Sequence, residues 1–308
     1  MSDAGSPSPS TPPEAIDAVP LRHPWRWVAA AVIIVIVGLF LYGAATNPAY
    51  GWSTFLEYLF NERILLGVAN TLQLTVYSMV IGIVLGVILT IMRLSDNFVL
   101  SAVAWVFLWI FRGTPVYVQL AFWGLMPTIY QKIQLGVPFG PSFFHVDLQN
   151  LSFPFALAVI GLALNEAAYM AEIVRAGITS VPEGQLEAST ALGMSWGLAM
   201  RRTVLPQAMR VIIPPTGNEV ISLLKTTSLV TAVPYAFDLY SIATREIAAR
   251  IFEPVPLLLV AATWYLVITS ILMVGQFYLE RYFSRGASRK LSPKQLEALA
   301  KAQIGTTA

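Results

Sequence analysis

Asn165, Tyr169 and Glu172 recur at i, i+4 and i+7 within a largely apolar run, a spacing that sets an amide, a phenol and a carboxylate on one helical face. Such a face could line a route for a zwitterion, with amide and carboxylate meeting its ammonium end. The alternative is that Glu172 pairs with Arg175 one turn below and that Asn165 binds a neighbouring helix. Glu166 joins them as a candidate, with no basic neighbour in sequence. A second candidate is Arg112-Gly113-Thr114-Pro115 followed by Gln119. Pro115 has no N–H and its ring crowds the preceding turn, and Gly113 is a poor helix former, so a helix must break here and free backbone groups beside Arg112. The break either shapes a passage or is only a kink, with Arg112 ion-paired to Glu166 or Glu219. Lys225, followed by Thr226, Thr227 and Ser228, poses the same question, since its Thr and Ser hydroxyls could simply satisfy backbone carbonyls. Covalent chemistry has little to draw on. Cysteine is absent, and the two histidines, His23 and His145, sit in separate polar segments, so neither a catalytic constellation nor a metal site is expected. No G-x-x-x-x-G-K-[ST] occurs, so the chain lacks that cradle for ATP phosphates.

The elements that position these groups follow from composition. Of 308 residues, 56% are hydrophobic and 12% charged, half of the roughly 25% charge of an ordinary globular chain. Mean hydropathy is +0.66. Residues 27–45, 64–92, 148–165 and 254–279 hold no Asp, Glu, Lys or Arg, and a helix needs about 20 apolar residues to cross the hydrocarbon. The sequence therefore describes an all-α membrane protein. Its spans are 27–45, 64–92, a third broken at Arg112–Pro115, a fourth from Pro154 to about Val174, a fifth over about 211–232, and a sixth over 254–279. The first run could be read as a late signal peptide, but it exceeds the ~7–15 residues of a typical apolar core in such peptides, and a retained span is expected. Ionisable groups at membrane depth cost at least ~2.5 kcal/mol each and usually face a bundle interior or a water-filled path. That cost is why Arg112, Glu166, Glu172, Glu219 and Lys225 matter. Residues 127–153, rich in Pro and Gly, read as a loop outside the membrane. With six spans and the N-terminus inside, thirteen of the nineteen Lys and Arg collect on one side and four on the other. The basic side is cytoplasmic, which places both termini and the 175–210 segment there.

Within that segment, residues 182–214 carry the densest signal. Residues 183–192 favour a helix, Gly193 interrupts it, Ser195 could cap a second short helix through Met200, and Pro206 is expected to end the amphipathic part. Glu187-Ala188-Ser189, three residues, Gly193, nine residues, Thr203, and then Leu205-Pro206 resemble the E-A-A-x3-G-x9-I-x-L-P loop of permease subunits in binding-protein-dependent ABC importers of type I. Ser189 replaces the second alanine and Thr203 the isoleucine of that pattern. The resemblance continues in Gly67–Leu72, Phe111–Pro115 with Gln119, Ala168–Ile178, Leu205–Arg210 and Lys225–Leu229, which look like the polar amino acid branch of these permeases and extend the similarity over about 63–284.

The resemblance implies a permease that does no covalent chemistry and moves a polar amino acid across the bacterial cytoplasmic membrane. It would have a five-span core and one additional N-terminal span. The division expected is a disordered tail over 1–24, the extra span and an outer loop over 25–62, the permease domain over 63–284 with its coupling loop at 182–206, and a cytoplasmic tail over 285–308. Arg112, Thr114, Gln119, Asn165, Glu166, Tyr169, Glu172 and Lys225 would line the substrate pathway. Glu183, Glu187, Ala188, Ser189, Gly193, Leu205 and Pro206 would form the loop that meets the ATPase. Expected partners are ABC ATPase subunits that bind the ATP and magnesium, an extracytoplasmic amino-acid-binding protein, a second permease copy or a paralogue, and lipid. No nucleic acid and no cofactor in this chain are expected. An ion-coupled secondary transporter and an intramembrane enzyme are the competing classes. The former would not need the loop, and the latter lacks a nucleophile-base pair.

Overall fold

The computed structural model describes residues 24–130, 132–137, 140–147 and 154–283. The expected tails therefore lie outside the described residues, apart from Pro24. The chain forms two units, divided after Tyr50. In the first, α1 (Pro24–Thr46) is uncharged beyond Arg26 and presents Val, Ile, Leu and Phe on all sides. A helix apolar all round suits lipid, and its 23 residues reach about 35 Å, enough to span the hydrocarbon.

The second unit begins with α2 (Trp52–Leu59) and α3 (Glu62–Arg93). Asn61 caps α3 by accepting from the Arg63 N–H at 2.9 Å, and Glu62 and Arg93 match the charges of its two ends. Next come α4 (Phe98–Gly113), capped by Asn97, and α5 (Val116–Ile129). The axes of α4 and α5 are bent by 107° at Thr114-Pro115. Thr114 is extended, as a residue before proline should be, and Pro115 stands at the N-cap of α5. The expected loop of 127–153 contains an antiparallel hairpin, β1 (Lys132–Gly136) paired with β2 (Ser142–Asp147). No strand was legible there, because the turn residues Pro138, Gly140 and Pro141 mask two runs of only five and six residues.

Helix α6 (Pro154–Thr179) is the centre of the unit. Gly82 and Gly86 of α3 face Glu166, Met170 and Ala171 of α6 so closely that a Cβ on Gly86 would lie 2.6 Å from the Met170 Cβ. Small residues four apart let backbones approach where no hydrophobic force acts between helices in lipid. Thr90 adds a hydrogen bond, donating to the Ala171 carbonyl at 2.8 Å.

After α7 (Glu183–Ala191) and α8 (Trp196–Ala199) the sequence expectation needs correction. Pro206 does not end the helical segment. A π-helical turn, Met200–Val204, leads directly into α9 (Leu205–Thr226) with Pro206 near its N-terminus. The widened turn opens the ladder where Pro206 has no N–H to give to Arg202 and its ring would crowd that carbonyl. The fifth helix thus starts several residues before 211, and a 3-10 turn, Thr227–Ala232, replaces its expected end. Short helices α10 (Leu239–Ser241) and α11 (Ala248–Ile251) precede α12 (Pro254–Phe283). Asp238 caps α10 by accepting from the Ser241 N–H at 3.1 Å; burial pushes its carboxyl above the usual range and this bond pulls it back. By length and apolarity the described residues hold four spanning helices, α1, α3, α6 and α12, and five if bent α4–α5 counts as one.

Candidate functional site

Trp105, Trp109 and Arg112 fall at i, i+4 and i+7 on α4, beside the face whose Ala104 and Leu108 are packed in a core cluster with Leu89, Ala167 and Ala171. With Arg93 from the end of α3 and Tyr169 and Glu172 from α6, this stripe lines a cavity of about 450 Å³. The two indoles are parallel, their centroids 6.2 Å apart. Glu172 lies between two cations. Its Oε2 accepts from Arg175 Nη2 at 2.7 Å and Nε at 3.1 Å, and its Oε1 is 3.6 Å from Arg112 Nη1. The Arg112 guanidinium also sits 5.8 Å from the centroid of the Tyr169 ring, within cation–π range. All three charged side chains remain partly exposed, at 46% for Arg112, 26% for Glu172 and 39% for Arg175. Pairs this open are individually worth about 0–1 kcal/mol, so the cluster can exchange partners.

Arg112 therefore pairs with Glu172, not with Glu166 or Glu219. Glu166 is 4% exposed, its Cβ and Cγ face Gly82 of α3, and its Oε1 has no hydrogen-bond partner. It does not join the group around the cavity. Lys225 is also separate, lining a different cavity of about 280 Å³ with Ser228, Tyr240 and Tyr265.

The predicted face of Asn165, Tyr169 and Glu172 divides between two tasks. Asn165 is buried and donates to the Phe111 carbonyl at 3.1 Å and to Gln119 Oε1 at 3.0 Å. Gln119, also buried, uses its Nε2 on the carbonyls of Phe111 at 2.9 Å and Thr114 at 3.0 Å and on Thr114 Oγ1 at 2.8 Å. Thr114 in turn donates to Ile110 O at 2.8 Å. The carbonyls freed by the break are thus satisfied by two amides, as an apolar surrounding demands. Tyr169 and Glu172 alone of the face open to the cavity. Of the residues singled out in the sequence, the structure gathers Arg112, Tyr169 and Glu172 at the cavity and Thr114, Gln119 and Asn165 at the break, and it adds Arg93, Trp105 and Trp109, which the sequence reading missed. The i, i+4, i+7 recurrence of Trp105, Trp109 and Arg112 was the available signal. Among the described residues no three His, Asp or Glu side chains converge as a metal site would require.

The second candidate region is the α7–α8 hairpin. Gly193 has φ +77°, and a Cβ there would meet nothing within 4 Å, so the demand for glycine is conformational rather than steric. The Gly193 N–H donates to Thr190 O at 2.9 Å and the Met194 N–H to Ser189 O at 3.1 Å, closing the end of α7. Leu192 and Trp196, 79% and 71% exposed, flank the bend, and Glu183, Glu187 and Ala188 are exposed along α7. Leu205 and Pro206 are exposed on the first turn of α9. Ser189 differs from these: it is 4% exposed and faces the π-turn rather than solvent. Ser195 stands at the N-cap of α8, but its side chain makes no capping bond.

Residues 79–285 match the sequence profile of the family described as binding-protein-dependent transport system inner membrane component. The arginine transport system permease protein ArgU of Corynebacterium glutamicum is 61% identical over 292 residues, 94% of this chain and 90% of that protein. The histidine/lysine/arginine/ornithine transport system permease protein HisM of Escherichia coli K12 is 40% identical over 210 residues, 67% of this chain and 83% of its own length. Among solved structures, a chain of an amino acid ABC transporter with histidines superposes with a TM-score of 0.61 at 31% identity, covering 74% of this chain and 98% of that one.

Proposed function

We propose that this chain, which belongs to the family of binding-protein-dependent transport system inner membrane components, is the permease through which an ABC importer carries a cationic amino acid of the arginine type. It is a multi-pass protein of the cytoplasmic membrane and no enzyme. The observation that carries the substrate class is the 61% identity, along 94% of this chain, to a permease named for arginine. The cavity between α4 and α6 supports it on chemical grounds. Its volume of about 450 Å³ is within the ~300–1,000 Å³ usual for small-molecule sites. The faces of Tyr169 and the two indoles attract a guanidinium, Glu172 offers it a carboxylate, and Arg112 offers the α-carboxylate a bidentate partner. Entry then requires the substrate to replace one of the two arginines on Glu172. Asn165, Gln119 and Thr114 act behind this pathway by holding the break, while Glu166 and Lys225 would belong to other stretches of it.

In this reading the chain has six spans, α1, α3, bent α4–α5, α6, α9 and α12, with both termini cytoplasmic. The tails are 1–24 and 285–308, the additional span with its outer loop is 25–62, and the permease domain is 63–284. A second permease copy or a paralogue completes the enclosure in surrounding lipid, and a binding protein delivers substrate from outside. ATPase subunits, which hold the ATP and magnesium, grip the hairpin through Glu183, Glu187, Ala188 and the tip around Gly193, with Leu205 and Pro206 alongside. The test is reconstitution of the complete transporter and uptake of labelled amino acids. Arginine, lysine and ornithine should compete for uptake and stimulate ATP hydrolysis; preferential uptake of neutral or acidic amino acids would overturn the substrate class.

A further inference from the structure

The two residues that depart from the loop pattern in sequence meet in space. Ser189 Oγ, on α7, and Thr203 Oγ1, in the π-turn fourteen positions later, are 2.9 Å apart. Ser189 Oγ is also 2.8 Å from the Gln185 carbonyl of its own helix. A hydroxyl carries one proton, so both bonds are made when Ser189 donates to the Gln185 carbonyl and the Thr203 hydroxyl donates to Ser189 Oγ. One turn away on both partners a second tie repeats the arrangement. Gln207 Nε2 lies 3.3 Å from Gln185 Oε1 and donates to Thr203 O at 2.9 Å. Gln185 and Ser189 are i and i+4 on α7, and Thr203 and Gln207 are i and i+4 on the continuous helical segment that becomes α9. These four polar side chains form a two-rung seam between the hairpin and α9.

The seam spans the joint at Gly193, where φ is positive and an added Cβ would meet nothing within 4 Å. Pattern residues Ala and Ile would meet here through an apolar contact that has no direction. Two hydroxyls replace it with a bond that has both distance and angle requirements. We infer that Ser189 and Thr203 are a matched pair of positioning residues that brace the hairpin to α9, so that a displacement of α7 is passed to α9 and not absorbed by rocking at Gly193. Helix α9 then carries it toward Pro214 and Pro215, where Gln276 of α12 donates to the Pro214 carbonyl at 2.6 Å. The inference rests on the reading of the hairpin as the ATPase contact.

A double-mutant cycle on the reconstituted transporter tests it, with S189A, T203V and the double variant compared for ATPase recruitment and for substrate moved per ATP hydrolysed. S189A leaves the half-buried Thr203 hydroxyl without its partner and should lower the transport-to-hydrolysis ratio about fivefold, the scale of one net hydrogen bond. T203V should lower it about twofold, since Ser189 keeps the Gln185 carbonyl. The double variant, with an apolar contact in place of both hydroxyls, should return to within about twofold of the unaltered protein, as matched pairs do and independent sites do not. Recruitment should be retained throughout, because both side chains lie behind the exposed face of α7. Multiplicative losses in the double variant, or an unchanged ratio in S189A, would overturn the brace while leaving the docking reading in place. Failure of the unaltered chain to recruit the ATPase would remove both.

Discussion

The α4–α6 cavity and the α7–α8 hairpin solve the same problem, an interrupted helix, in opposite ways. At Thr114-Pro115 the interruption lies among apolar spans, and the carbonyls of Phe111 and Thr114 are met by buried amides of Gln119 and Asn165. At Gly193 the interruption is solvent-exposed, and the carbonyls of Thr190 and Ser189 at the end of α7 are met by the backbone N–H groups of Gly193 and Met194. In lipid every freed backbone group needs a protein partner; outside it, water serves, and a single glycine suffices. The first region is costly to alter at buried amides turned to the backbone, and the second is costly at one backbone position.

The largest effect should come from the backbone. Gly193→Leu places a side chain at φ +77°, which costs roughly 1–2 kcal/mol for a residue other than glycine, and sets it on the exposed tip. ATPase recruitment in a pull-down should be lost and uptake should fall below about a tenth, with membrane insertion unchanged; normal recruitment would make the bend an ordinary surface turn. Asn165→Leu should come next. It leaves the Phe111 carbonyl one donor short and Gln119 Oε1 without its partner, at about 1–3 kcal/mol for each buried group left unsatisfied. The detergent-solubilised protein should melt several degrees lower and transport should fall about tenfold. Unchanged melting would remove the contrast between the two breaks. The smallest effect should follow Glu172→Gln, which keeps the shape but removes the carboxylate charge and one of its two acceptor oxygens. Assembly and melting should stay as they are, while the concentration of arginine giving half-maximal ATPase stimulation rises about tenfold. Loss of assembly instead would make Glu172 a structural tie for Arg112 and Arg175.

Legibility differed between the regions for the same reason. The hairpin was readable because its signals are local: helix propensity over 183–192, a glycine at a forced turn, and fixed spacing to Leu205-Pro206. The break at Arg112–Pro115 was readable too, because proline chemistry acts on its own chain. What occupied the break was not, since Asn165 lies 54 positions from Phe111. The same i, i+4, i+7 spacing gave no means of separating Asn165, turned to a neighbouring carbonyl, from Glu172, turned to a cavity. Periodicity reports which face a residue is on but not what stands opposite. Pro206 was misread for a related reason: a rule for α-helices does not anticipate a π-turn that accommodates the missing donor.

The sequence by itself determined a membrane-embedded helical chain, its breaks and the bend at Gly193, because apolar run length, charge placement and the geometry of glycine and proline act through the covalent chain. Only the tertiary structure decided that Arg112 faces Glu172, that Glu166 is packed against α3, that Gln119 and Asn165 close the break, and that Ser189 meets Thr203. Those pairings depend on how α3, α4, α6 and α9 are set against one another. That setting comes from close approach at small residues such as Gly82 and Gly86, an interaction whose partner no local pattern names.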